Sequence, residues 1–69
     1  MNRIELTEAE HAVLFRISML KLQHGGKVPF DTEWTKSENE ILQQLSKRRI
    51  LYGYDLPVNF YAMNEVVIL

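Results

Sequence analysis

The side chains that could do chemistry are few in this 69-residue sequence, and they lie far apart. His11 and His24 lack the spacing of four that places two metal ligands on one helix face, and there is no cysteine to join them. Ser18, Ser37 and Ser46 have no neighbouring base that could activate a hydroxyl. We therefore expect no catalytic residue, no metal site and no cofactor.

The glycines and the acidic residues also lack the pattern of a catalytic or phosphate-binding site. Gly25-Gly26 is followed by Lys27 but lacks the other positions of a phosphate-binding loop, so the pair predicts a helix stop. Glu38 and Glu40 lie two positions apart on a predicted helix, where side chains do not face each other. The sequence thus predicts that the chain is not an enzyme.

One polar surface is more informative. Lys36, Glu40, Gln43 and Lys47 recur with spacings of four, three and four, which places them on one face of a helix. Amide and ammonium groups of this kind can read base edges or hold phosphates in a major groove. A solvated helix face looks the same, and its glutamates would repel phosphate.

The first of the elements that would position this surface is a long helix. Thr7 and Glu10 form a capping-box pattern, and Gly25 predicts that the helix ends at His24. The core stripe we predict on it comprises Ala9, Val13, Ile17 and Leu20, widened by Ala12, Leu14, Phe15, Met19 and Leu22.

A second capping box, Thr35 with Glu38, predicts a second helix that ends near Arg49. Ile41, Leu42 and Leu45 follow with helical period. We expect Leu42 and Leu45 to share a single core with Leu14 and Ile17 of the first helix.

Strand patterns follow the second helix. Leu51–Leu56 alternates, and Phe60–Leu69 is rich in aromatic and β-branched residues, with Pro57 in the stretch between them. We predict an α+β fold of two helices followed by a β-hairpin, with Lys27–Phe30 as a short extended segment or edge strand between the helices.

This order of elements resembles a minimal winged helix. In that family a leucine-rich helix ends in basic residues and an apolar pair that begins the wing, and Leu45, Arg48, Arg49, Ile50 and Leu51 match this pattern. The resemblance implies that the helix enters the DNA major groove while the wing rests on the backbone, or that the same surface binds a protein. The nucleic-acid-binding residues predicted on this basis are Lys36, Asn39, Gln43, Gln44, Lys47, Arg48, Tyr52, Tyr54 and Asn59.

Composition narrows the class of protein and its partners. The chain is 46% apolar and 25% charged, as in ordinary globular proteins, and residues 1–69 are short enough for one small domain with one core. No stretch has the length of a membrane span or the layout of a signal peptide, so we expect a cytoplasmic protein.

A formal charge of −1 argues against a dedicated nucleic-acid binder, whereas the order of elements favours one. The alternatives are therefore a DNA-contacting regulator and a protein-interaction module, such as an adaptor or an inhibitor encoded by a phage or mobile element. Strand edges rich in aromatic and β-branched residues also predict a homodimer formed through the sheet.

Overall fold

The computed structural model describes residues 2–69. It contains a two-stranded sheet and three helices, two of them long, which confirms the predicted α+β class. In chain order the elements are β1 (Asn2–Leu6), α1 (Glu8–Gln23), α2 (Lys36–Lys47), α3 (Phe60–Met63) and β2 (Asn64–Ile68).

The first helix begins and ends as predicted. The Thr7 hydroxyl accepts from the backbone N–H of Glu10 at 3.1 Å, and the Glu10 carboxylate accepts from the Thr7 N–H at 2.8 Å. At the other end Gly25 adopts φ 68°, and the Gly26 N–H donates to the Lys21 carbonyl at 2.7 Å. This is the left-handed glycine stop that the sequence predicted.

The second helix starts with the predicted capping box of Thr35 and Glu38. It ends in the same type of turn, in which the Ile50 N–H donates to the Leu45 carbonyl at 2.9 Å. Here the left-handed position is occupied by Arg49, with φ 59°, where a glycine would normally stand. Arg49, two residues after the end of α2, therefore has an unfavourable backbone conformation.

The strand pairing differs from the predicted hairpin. β2 pairs with β1 in parallel register, from Asn2 opposite Asn64 to Leu6 opposite Ile68. The Leu69 N–H extends the ladder by donating to the Leu6 carbonyl at 2.8 Å. The N-terminal strand supplies an apolar face through Ile4 and Leu6, which removes the need for a partner strand from the adjacent segment.

The predicted first strand of the hairpin forms a tight turn instead. Tyr52 and Asp55 exchange backbone hydrogen bonds of 2.8 and 3.1 Å around Gly53, whose φ of 65° is incompatible with a strand. Ile50 and Leu51 are consecutive and both buried, whereas a strand would point them to opposite faces. The chain buries both by turning.

Two other segments also depart from the predicted strands. The start of the predicted Phe60–Leu69 strand forms the single turn of α3, preceded by Asn59 in the left-handed region with φ 61°. Lys27–Phe30 forms no strand, so of its two predicted alternatives the edge strand is wrong and the short extended segment is left. Asp31–Trp34, where the winged-helix family has a further helix, forms no helix. The resemblance to that family remains a hypothesis.

One core joins the sheet to the helices. Its fully buried side chains are Leu6 of β1, Leu14 of α1, Leu45 of α2 and Leu51 after α2. The four side chains predicted to share a core do so, with Leu42 half-buried at its margin. Over residues 2–69, no helix is both long and apolar enough to cross a bilayer.

Candidate binding surfaces

The predicted polar face of α2 is open to solvent. Lys36, Gln43, Gln44 and Lys47 are exposed, and their side chains form no hydrogen bond or ion pair with any other part of residues 2–69. Glu40 lies on the same exposed surface. The helix therefore presents two cations and two amides that are free to contact a ligand, with one carboxylate among them.

Arg48, one of the predicted nucleic-acid-binding residues, makes contacts within the fold. Its Nη1 donates to the Glu10 carboxylate at 3.0 Å, and its Nη2 donates to the Glu5 carbonyl at 2.7 Å. Because the Glu10 side chain is only 9% exposed, this guanidinium compensates a buried charge. Arg48 thus joins the end of α2 to β1 and to the start of α1.

Tyr54 is also committed within the fold. Its ring stacks on Trp34 with centroids 5.9 Å apart and an interplanar angle of 12°, and the Arg16 guanidinium lies 4.5 Å from the Trp34 centroid. Arg16 donates to both oxygens of Glu38, at 2.9 and 3.0 Å. This cation and aromatic stack ties α1, the loop after it, α2 and the Tyr52–Asp55 turn together.

The carboxyl of Glu38 is held ionised by this arrangement. The backbone N–H of Thr35 donates to it at 3.0 Å, and this bond, together with the Arg16 guanidinium, lowers the pKa of Glu38 despite some opposing desolvation. The Arg16–Glu38 ion pair therefore connects α1, α2 and the loop between them.

The remaining predicted residues have separate settings. Asn39 donates to the Trp34 carbonyl at 3.4 Å, Tyr52 is exposed at the tight turn, and Asn59 is the left-handed residue before α3. Of the predicted nucleic-acid-binding residues, the structure thus brings together those on α2. Arg48 and Tyr54 make side-chain contacts within the fold, and Asn59 lies apart from the α2 face.

An exposed apolar surface on α1 was not predicted. Ala12, Phe15, Met19 and Leu22 lie on the outer side of α1 and are exposed, with Phe15 at 62% and Leu22 at 79%. We call this set the α1 stripe. The sequence prediction that it widens the core is wrong, because a two-stranded sheet and one other long helix leave that side of α1 uncovered.

An open groove of about 370 Å³ lies at the start of both strands. Its lining includes the apolar residues Ile4, Ile50 and Phe60 and the charged residue Arg49. Within residues 2–69 no three His, Cys, Asp or Glu side chains come close enough to hold a metal ion.

Comparison of this chain with protein-family profiles, with curated proteins and with solved structures finds no match.

Proposed function

We propose that this chain is a small, non-catalytic regulatory protein that binds an amphipathic helix of a protein partner through the α1 stripe. The observation that carries the proposal is the exposure of Phe15, Met19 and Leu22 on a helix whose opposite side already fills the core. Contiguous exposed apolar surface on a small protein typically marks an interaction site.

The spacing of the α1 stripe indicates what kind of partner it fits. Ala12, Phe15, Met19 and Leu22 follow intervals of three, four and three, which is the a and d pattern of a seam between two helices. A helix of 16 residues is about 24 Å long, enough for two heptads of contact. The matching ligand carries apolar side chains at the same spacing.

The charges beside the stripe favour recognition by packing rather than by ion pairing. Arg16 is bound to Glu38, and Lys21 is bound to Asp55, so neither cation is free to select an acidic partner. Glu8, one turn before Ala12 on the same side of α1, is exposed and places one carboxylate at the N-terminal end of the stripe. His11, Ser18 and Gln23, which flank the rest of the stripe, are polar.

Chemical-shift mapping with a designed amphipathic peptide, with Leu at a and d and Ser and Gln elsewhere, tests this proposal. We expect the shifts to concentrate on α1, and the double variant Phe15→Ser, Leu22→Ser to lose binding while remaining folded. Gln43→Ser on α2 is the matched control, because it makes a similar exposed change on the other helix. Unchanged peptide binding by the double variant would contradict the proposal.

We infer a second candidate function from α2, namely a winged-helix-like regulator that contacts DNA. The free side chains of Lys36, Gln43, Gln44 and Lys47 on one helix favour it. If phosphates are the target, Lys47→Ala should weaken binding to unrelated duplexes equally and lower the salt slope by about one unit. Failure to bind duplex DNA even at low salt would remove this candidate.

A further inference from the structure

The two edges of the sheet differ in whether their outward backbone groups are already bonded. On the outer edge of β1 the Glu5 carbonyl is occupied by the Arg48 guanidinium, and Arg3 and Glu5 add charge. β2 has no strand beyond it, and Glu65 is its sole charged residue. Exposed edges that lack lysine, proline or a covering element are templates for pairing with another strand.

The register identifies which backbone groups of β2 point outward. Leu6 lies opposite Ile68 and accepts from the Leu69 N–H, so the backbone groups of Leu6 face β2. In a parallel pair the residue opposite such a position directs its own N–H and C=O away from the partner. The outward groups therefore belong to Asn64, Val66 and Ile68, and within the described chain those of Val66 and Ile68 bond to nothing.

We propose that a second copy of this chain pairs with this edge, β2 against β2, in antiparallel register about a two-fold axis at Val66. This operation places Val66 opposite Val66 of the partner subunit and Asn64 opposite Ile68 of the partner subunit. Every outward residue then faces another outward residue, and each pair exchanges two hydrogen bonds. The result is a continuous four-stranded sheet.

Charge is compatible with the same register. Glu65 lies opposite Val67 of the partner subunit, so the single carboxylate of β2 does not face its own copy. A second copy of the chain satisfies this register of outward residues and charges by two-fold symmetry, whereas an unrelated strand would match it only by chance. The β2 edge shares no residue with the α1 stripe. Dimerisation through β2 and helix binding through α1 can therefore be tested independently of each other.

Val67 provides a sharp test because its side chain lies on the sheet face opposite to that of Val66, which packs against the core. Val67→Glu would place like charges opposite each other twice in the dimer, and Val67→Lys would place opposite charges there twice. From typical cross-strand pair energies we expect the dimer Kd to rise about two- to thirty-fold for the first and to fall by a similar factor for the second.

Sedimentation equilibrium from micromolar to millimolar concentration measures these Kd values, with circular dichroism to confirm folding. The double variant Glu65→Lys, Val67→Glu restores opposite charges and should recover dimerisation, which separates a pairing effect from a folding defect. A monomer at every concentration would overturn the proposal. So would equal shifts for Val67→Glu and Val67→Lys, or loss of the dimer in Phe15→Ser, Leu22→Ser.

Discussion

The Arg48 guanidinium donates to the Glu10 carboxylate at 3.0 Å, so the end of α2 is joined to the first turn of α1. The same Glu10 carboxylate caps α1 through the Thr7 N–H. One buried carboxylate thus serves both a helix start and a contact between elements.

Removal of that guanidinium should destabilise the fold. Arg48→Ala would remove the guanidinium from the buried Glu10 carboxylate, which would keep only its bond from the Thr7 N–H, and would remove the donor to the Glu5 carbonyl. We expect a loss of roughly 1–3 kcal/mol in the free energy of unfolding. Urea denaturation measures it. Lys47→Ala is the control, since that exposed side chain bonds to nothing in residues 2–69 and should change stability by less than about 0.5 kcal/mol. Equal effects would contradict a structural role for Arg48.

Leu45 should be among the most sensitive core positions, because its side chain is 0% exposed. Leu45→Ala should cost about 2–5 kcal/mol, a large share of the stability of a small domain. Thermal and chemical melting measure the loss, with Gln44→Ala as the exposed neighbour for comparison. A cost below about 1 kcal/mol would mean that the site collapses around the smaller side chain.

Arg49 offers a route to higher stability. Its φ of 59° is disfavoured for any residue with a Cβ, so Arg49→Gly should raise the free energy of unfolding by about 0.5–1 kcal/mol. Arg49→Ala removes the same charge and keeps the Cβ, and we expect no comparable gain from it. If alanine stabilised as much as glycine, the benefit would come from the lost side chain and not from the backbone.

Glu38 should contribute to the acid sensitivity of the protein. Because its pKa is lowered in the folded state, its stabilising contribution is present at pH values above the ordinary carboxyl pKa of about 4.3, and it is lost as the pH falls through the lowered value. Denaturation series between neutral and strongly acidic pH should show a smaller acid-induced loss for Glu38→Gln than for the wild type. An identical acid limb would contradict the assignment.

The local parts of the fold could be predicted from the sequence. Thr7, Thr35 and Gly25 act through backbone groups within a few positions, so their patterns correctly predicted where helices start and stop. The partner of β2 could not be predicted in the same way, because strand periodicity shows which face is apolar but not which strand lies beside it. The alternation of Ile4 and Leu6 with Arg3 and Glu5 is the signal that would have revealed β1.

Among the candidate surfaces, too, features set by local sequence could be predicted and features set by distant contacts could not. Exposure of the α2 face follows from helical spacing and was predicted. The α1 stripe was assigned to the core because periodicity shows that Phe15 and Leu22 are apolar, but not how much of a helix its neighbours cover. The commitment of Arg48 to Glu10, a residue 38 positions away in the chain, has no local signature at all.

The parallel pairing of β1 with β2 also has a consequence for the order of folding. Every pair in this sheet joins residues from opposite ends of the described chain, so the loop that must close is nearly as long as the chain itself. The helices and their caps need only local contacts, which form much faster. During synthesis β1 is made before β2, so it has no strand to pair with until β2 has also been made. We therefore expect the core around Leu6 to be completed late in folding, and the two strands to unfold together with the helices they cover.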